Sequence, residues 1–216
     1  MTEKEIWNAL REKGFTDFAA AGIMGNFQAE SAMKADNVED RCPMSDAAYT
    51  TAADNGTTDF IFDGYGYGLP QFTFWSLKRE LLTLCRERGT SVADAQAQID
   101  CLCTLLERDY PNTLTRLQNA ASPCAASTVF LLEFERPADS SKRVQDYRAS
   151  LAEELYRKYH GAEDGEAGEG KLPLSAESIA HLQLVLRSAG FDLAVDGILG
   201  PKTRAAIGEL ARKVRS

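Results

Sequence analysis

Apolar residues recur at helical spacing over most of the first 159 residues of the chain. In the clearest example, Ala20, Ile23, Met24 and Phe27 follow the i, i+3, i+4, i+7 pattern of one buried helix face. The same periodicity predicts further helices over residues 5–14, 75–88, 92–110, 124–135 and 140–159. The pattern therefore indicates a largely helical body.

Residues 31–74 interrupt the helical pattern. They are rich in Asp, Asn, Gly and Thr, and they end in GYGYGLPQFTF at 64–74, the best candidate in the chain for a strand or hairpin. We therefore predict an α+β fold class, in which a mostly helical domain at 1–159 carries a small β-hairpin inserted after its second helix.

A change in composition sets the C-terminal part of the chain apart. Residues 160–171, HGAEDGEAGEGK, are glycine-rich and acidic, which is typical of a flexible linker. Beyond them, an amphipathic helix at 175–189 precedes an Asp-Gly turn and a Gly-Pro helix start. We predict a small three-helix-type domain at 172–216.

The net charge of −8 argues against nucleic acid as a partner, because contact with phosphates needs a basic surface. No apolar stretch is long enough to cross a bilayer, and the N-terminal MTEKEIWNAL has no signal-peptide core. We therefore expect no nucleic-acid binding, no membrane insertion, and synthesis in the cytoplasm without a signal peptide.

Cysteine and histidine argue against metal or thiol chemistry in the first domain. The five cysteines have no spacing that indicates a disulfide framework or a zinc site. Both histidines, His160 and His181, lie outside residues 1–159, whereas a zinc amidase or a Cys–His peptidase needs histidine in its active site. We expect no metal and no cofactor.

Glu30 is the first candidate for a catalytic residue. It follows Ile23 by seven residues, so it lies within about 20° of the apolar face at the end of its helix. A carboxyl group there faces the interior or a cleft, where a carboxylic acid can protonate a glycosidic oxygen. The alternative is a glutamate that caps the helix end or pairs with an arginine.

The glycine-rich segment is the second candidate. Gly64, Gly66 and Gly68 alternate along it, which removes side chains from one face of an extended backbone and leaves Tyr65 and Tyr67 on the other. Such a surface can bind a flat, hydroxyl-rich ligand, with the tyrosines stacking on sugars. In the alternative interpretation, the tyrosines anchor a loop to the core.

Four motifs in sequence order resemble the phage tail-type lysozyme family. They are MGNFQAES at 24–31, SDAAYTTAADNGTTDF at 45–60, GYGYGLPQFTFWSLKRE at 64–80 and FERPAD at 134–139. In the C-terminal part, VDGILGPKTRAAI at 195–207 resembles the small helical peptidoglycan-binding domain.

The resemblance implies a lysozyme-like fold that cleaves the glycan strand of peptidoglycan. It places the family's catalytic glutamate on Glu30 and a cleft-lining Gly-Leu-x-Gln motif on Gly68, Leu69 and Gln71. The chain departs from the family at Pro70, where a small residue is usual, and at Phe72, where tryptophan is usual. We expect these departures to change affinity and not to abolish activity. The FERP segment, in which Glu133 and Glu135 flank Phe134, is interpreted as a helix terminus held by Pro137 and an ion pair, and the alternative is a contact with substrate.

Hydrolysis also needs a base or nucleophile, and carboxylate pairs about 5–5.5 Å or 6.5–9.5 Å apart give retention or inversion respectively. Asp63 adjoins the glycine-rich segment and ranks first as the second carboxylate, followed by Asp59 and Asp54. In a lytic transglycosylase, Glu30 alone would act while the 6-hydroxyl of the sugar attacks. A third possibility is a non-catalytic wall-binding protein on a lysozyme scaffold.

The function expected from these features is that of a phage endolysin. It would be made in the cytoplasm of the host bacterium and act at the wall during lysis, on the peptidoglycan of a Gram-positive host. The C-terminal domain would raise the effective concentration of the enzyme on this insoluble polymer.

Overall fold

The computed structural model describes residues 1–160, 176–191, 193–195, 202–203, 206–207 and 209–210. The chain divides into two compact units, Met1–Glu166 and Ala167–Ser216. The predicted linker at 160–171 lies outside the described residues except for His160. The predicted domain limits of 1–159, 160–171 and 172–216 stay predictions.

The first unit is built from helices. In chain order they are α1 (Glu3–Glu12), α2 (Asp17–Ser31), α3 (Asp46–Asp54), α4 (Trp75–Arg88), α5 (Ala95–Arg108), α6 (Pro111–Gln118), α7 (Pro123–Val129), a π-helical segment (Phe130–Glu135) and α8 (Lys142–Tyr159). Each helix predicted from periodicity is present, and α3 and α6 are additional.

Side-chain caps fix the ends of several of these helices. Thr2 and Glu5 form a reciprocal capping box at α1, and the Thr16 side chain accepts a hydrogen bond from Ala19 N–H at α2. At the end of α4, Gly89 adopts the left-handed conformation that closes a helix. These local signals agree with the tertiary structure.

The predicted β-hairpin is wrong for the part of the chain that the structure describes, which contains no β-strand and only an isolated antiparallel bridge between Val38 and Tyr67. Tyr67 and Phe72 exchange two main-chain hydrogen bonds across a tight loop. Within that loop Gly68 and Gln71 have positive φ angles of 78° and 48°, so the backbone turns instead of extending.

Helix α2 lies at the centre of this unit and is buried on all sides from Ala19 to Phe27. Glycine permits close contacts with α7 and α8. A Cβ atom at Gly22 would lie 2.6 Å from the main-chain nitrogen of Ser127, and one at Gly25 would lie 2.7 Å from that of Ala152. These approaches bring α8 against the C-terminal half of α2.

In the second unit, α9 spans Ala176–Ser188, close to the predicted helix at 175–189. Leu186, Leu193 and Ala206 form a small buried cluster. Most of the predicted binding motif at 195–207 lies outside the described residues, so the three-helix domain stays a prediction. Across the described residues, the structure contains no helix with the length and apolar character of a membrane span.

Candidate active site

Two cavities, of about 490 and 760 Å³, border the C-terminal end of α2. Both are lined by Glu30, Glu39, Arg41 and Gln71. The larger one also has an aromatic and carboxylate wall that includes Phe72, Phe74, Tyr110, Phe134 and Glu135. Volumes of this size suit a small polar ligand or a few sugar rings of a polymer.

Glu30 is the penultimate residue of α2, and its side chain is 23% exposed. Ala32 caps the helix in the left-handed conformation, so the chain turns away directly after the glutamate and leaves it at the cavity wall. The carboxylate also accepts a hydrogen bond from Arg148. Glu30 therefore has both features considered from the sequence, a cleft position and an arginine partner.

Arg148 of α8 joins two carboxylates. Its Nη2 atom donates to Glu30, and its Nη1 atom donates to Glu135 at 2.6 Å and to the side-chain oxygen of Asn26 at 3.0 Å. Asn26 is itself held by Ser127, to whose main-chain oxygen it donates at 3.1 Å. We call Glu30, Arg148 and Glu135 the carboxylate–arginine cluster.

Glu135 is the most buried carboxylate of this cluster, with 5% of its side chain exposed. It is the last residue of the π-helical segment, a rare geometry that is frequent at functional sites. Its Oε1 atom is buried and has no hydrogen-bond partner among the described residues. Burial raises the pKa of Glu135 to about 8, despite the opposing charge of Arg148.

Left-handed backbone concentrates around the cavities. Of the described residues other than glycine, four have positive φ: Ala32, Met33, Gln71 and Arg136. Three of them, all except Met33, line a cavity. Such conformations cost of order 1–3 kcal/mol each and cluster at functional sites.

Glu39 lines both cavities, as Glu30 does, and no motif in the sequence marks it. Its carboxylate accepts a hydrogen bond from Arg41 and another from the Gly66 N–H at 3.1 Å. These bonds, with that to Arg41 the stronger, lower the pKa of Glu39. It is therefore ionised at neutral pH.

Gln71 lines both cavities. Its side-chain amide is held in place by two hydrogen bonds, which it donates to the Asn37 side chain at 2.9 Å and to the Gly68 carbonyl at 3.1 Å. Gly68 lies behind this wall, where a Cβ atom would come within 2.5 Å of the Gln98 side chain. Gln98 also accepts from Leu69 N–H at 2.8 Å. Of the three motif residues, Gln71 lines the cavities, whereas Gly68 and Leu69 shape the loop. The assignment of Gly68 and Gln71 as substrate-binding residues stays a prediction.

Pro70 and Phe72, the two departures from the family pattern, both line the larger cavity. The ring of Phe72 is almost fully buried, so it contributes an apolar floor without a hydrogen-bond donor. Their effect on affinity stays a prediction.

The two tyrosines of the glycine-rich segment face inward. Tyr67 is fully buried, its hydroxyl bonds Thr50 at 2.6 Å, and its ring packs on Tyr49 and Phe60. Tyr65 is partly buried and packs edge-on against Tyr49. The assignment of both as sugar-stacking residues stays a prediction, and these contacts favour the alternative in which they anchor the loop.

The three aspartates ranked as second carboxylate have structural partners. Asp63 bonds Lys78 Nζ and the Tyr49 hydroxyl, each at 2.5 Å. Asp54 accepts from the Val92 N–H, and Asp59 accepts from an N–H of its own turn. None of the three is among the described residues that line the two cavities. Their catalytic assignment stays a prediction, which the structure does not favour.

No group of three or more histidine, cysteine, aspartate or glutamate side chains in the described ranges is arranged to hold a metal ion. All five cysteines are free thiols, and burial raises the pKa of Cys101 and Cys103 to about 12. The side chains that line the cavities include carboxyl groups, the guanidinium groups of Arg41 and Arg136, and the Gln71 amide.

A mostly helical domain in which Glu30 and Glu39 line the same two cavities has the features of an enzyme that cleaves glycans by acid–base chemistry. The family model for phage tail lysozyme matches residues 1–159, and the chain belongs to this family. Membership indicates a lysozyme-type enzyme that acts on peptidoglycan. A search of curated proteins found no match.

Proposed function

We propose that the protein is a phage endolysin that hydrolyses the glycan strand of peptidoglycan, with Glu30 as the general acid. The observation that carries this proposal is the position of Glu30, partly exposed at the junction of two cavities and held by Arg148. The resemblance of residues 24–31 to the family, which implies that Glu30 is the catalytic glutamate, supports the same assignment.

The reaction begins with proton transfer. Glu30 donates its proton to the glycosidic oxygen while the bond from that oxygen to the sugar C1 breaks, and C1 acquires oxocarbenium character. The ionised Glu39 lines both cavities that Glu30 lines, and in this proposal it stabilises this charge and accepts a proton from water. The oxygen of that water bonds to C1, which completes the hydrolysis.

The second unit would hold the enzyme on the wall of a Gram-positive host. This part of the proposal rests on the motif at 195–207 and on the gain in effective concentration from tethering. The enzyme would stay in the host cytoplasm until lysis gives it access to the wall.

The test is digestion of purified Gram-positive peptidoglycan, with mass spectrometry of the soluble fragments. For Glu30→Gln, we expect the rate to fall by about 10²–10⁴-fold, the usual contribution of a general acid, while binding to the wall is kept. The matched control is Glu87→Gln, which removes a carboxylate from the exposed face of α4. Glu39→Gln should also lower the rate.

The products separate the mechanisms. Reducing muramic acid ends support hydrolysis. Anhydro ends, lighter by one water, would contradict hydrolysis and indicate transglycosylation by Glu30 alone. Freed stem peptides would contradict glycan cleavage, and undiminished lysis by Glu30→Gln would remove Glu30 from the mechanism.

A further inference from the structure

Three aromatic side chains of the first unit are exposed beside the larger cavity and have no role in the mechanism above. Phe74 is 70% exposed, Phe62 is 69% exposed and Trp75 is 47% exposed. A single exposed apolar side chain is ordinary, but a group of them marks a binding surface. We call these three residues the aromatic surface.

The aromatic surface is continuous with the wall of the larger cavity. Phe74 lines this cavity, and so do Thr73 and Ser76 on either side of it in the chain. Trp75 follows Phe74 directly, and the Phe62 ring stacks on the Trp75 ring with their centroids 6.2 Å apart. Neither Trp75 nor Phe62 is among the described residues that line the two cavities, so the surface begins in the cavity wall and continues outside it.

The rings outside the cavity are held in place by the fold. The Phe62 N–H donates to the Asp59 carbonyl at 3.1 Å, and the next residue, Asp63, is anchored by its bond to a buried lysine. The Arg79 guanidinium lies over the Trp75 ring, 4.7 Å from its centroid. Rings that are fixed before a ligand arrives lose little conformational entropy when they bind it.

The position of Phe74 has no explanation in helix stability. Phe74 is the N-cap of α4, and its side chain makes no capping hydrogen bond. Serine, threonine, aspartate and asparagine are the residues that stabilise this position. Because most of the ring is also exposed, packing does not account for a phenylalanine here either. Contact with a ligand does.

We infer that the aromatic surface binds the glycan strand of peptidoglycan where it extends beyond the larger cavity, and that it makes the enzyme prefer long strands to short oligosaccharides. The inference rests on the proposed function and adds a preference for substrate length. A sugar ring has an apolar face that packs on an aromatic ring, and hydroxyl groups at its edge that reach side chains such as Thr73 and Ser76.

A second protein chain fits this surface less well than a polysaccharide. Even fully exposed, three aromatic side chains of about 150–250 Å² each fall short of the roughly 800 Å² that each partner buries in a stable protein interface. A narrow row of rings that leads out of a cavity suits a linear polymer, part of which lies in that cavity.

The first experiment compares two substrates from the same polymer, long uncross-linked glycan strands and the tetrasaccharide. The values of kcat and KM on each are measured for the full chain as wild type, Phe62→Ser and Phe74→Ser. The matched control is Tyr147→Ser, which removes a 58% exposed aromatic side chain of α8 that is not among the described cavity-lining residues. Any contribution of the second unit is common to all four proteins.

For Phe62→Ser, we expect the ratio of kcat/KM on long strands to that on the tetrasaccharide to fall about threefold or more, mainly through KM. Phe74→Ser should raise KM for both substrates, because Phe74 lines the cavity. Its Tm should stay equal or rise, since serine can cap α4. Tyr147→Ser should keep the wild-type ratio. An unchanged ratio in Phe62→Ser would overturn the inference.

A second measurement detects binding without cleavage. The chain has two tryptophans, of which Trp7 is 1% exposed and Trp75 is 47% exposed, so quenching of fluorescence by acrylamide reports mainly on Trp75. In full-length Glu30→Gln, long strands should protect Trp75 from quenching more than the tetrasaccharide does. Equal quenching at every strand concentration would refute the inference.

The two proposals fail in different ways. Absence of glycan cleavage by wild type would refute the proposed function, while the quenching experiment would still test binding to the aromatic surface. Analytical ultracentrifugation tests the remaining occupant, a second copy of the chain. If wild type were a dimer and Phe62→Ser a monomer with the wild-type length preference, the surface would be an interface between copies and the inference would be wrong.

Discussion

Replacing Asp63 by asparagine separates a structural role of this carboxylate from a catalytic one. Lys78 is fully buried, and its Nζ atom donates to Asp63 at 2.5 Å, to the Tyr49 hydroxyl at 2.9 Å and to the Tyr65 carbonyl at 2.9 Å. Burial lowers the pKa of Lys78, and the charge of Asp63 opposes this effect. In Asp63→Asn, the buried ammonium keeps two neutral acceptors and loses its counter-charge.

The expected cost follows from this arrangement. Removing one partner of a buried ion pair typically costs about 3–5 kcal/mol, since the other charge stays buried without compensation. For a domain of this size, that corresponds to a fall in Tm of about 6–20 °C. The double variant Asp63→Asn with Lys78→Met removes both charges and should recover most of the loss.

Thermal unfolding of the full chain measures these differences, and peptidoglycan digestion well below the lowered Tm measures activity. We expect folded Asp63→Asn to keep most of its rate, because Asp63 is held by Lys78 and Tyr49 away from the two cavities. Wild-type stability combined with lost cleavage would refute the structural reasoning and restore Asp63 as the second carboxylate.

Two further predictions concern stability. Burial raises the pKa of Glu135 from 4.5 to about 8. Between these pH values the folded protein therefore holds one proton more than the unfolded protein. Its free energy of unfolding should therefore fall as pH rises from 4.5 to 8, by up to about 1.4 kcal/mol per pH unit. The difference between wild type and Glu135→Gln in thermal unfolding from pH 5 to 9 measures this slope, and equal slopes would contradict it. Gly25→Ala should cost about 1–3 kcal/mol, since its Cβ would lie 2.7 Å from the Ala152 main chain; unchanged Tm would contradict the close packing.

Helix positions were predictable because periodicity is local information. The apolar face of α2 and the amphipathic pattern of α8 are visible in the sequence alone. Helix α6 was missed because no helix was predicted directly after the one at 92–110, although α6 begins at Pro111 and proline suits the first turn of a helix. Helix α3 carries a weak apolar pattern within a segment rich in turn residues.

The glycine-rich segment shows where local patterns fail. Alternating glycines are compatible with a strand, but they also permit left-handed backbone, and Gly64 and Gly68 both adopt it. The tyrosines between them could face a ligand or the core, and the outcome depends on Tyr49 and Phe60, which are distant in sequence. Periodicity cannot decide between these two faces.

The candidate site was predictable only for its first residue. Glu30 continues a helix face, so its position follows from helical geometry. Its partner Arg148 is 118 residues away, and no local pattern connects the two. Glu135 was visible as part of a motif, but its burial depends on a π-helical turn that periodicity does not reveal.

The packing of α2 also explains why the two interpretations of Glu30 are compatible. Gly25 lets α8 approach α2 closely at Ala152, one helical turn from Arg148, so the guanidinium reaches the end of α2. An arginine pair at a helix end usually indicates a structural role for the glutamate. Here the same arginine also binds the buried Glu135. Glu30 therefore keeps its access to the cavities although it has an arginine partner, so the ion pair and the position in the cleft do not exclude each other.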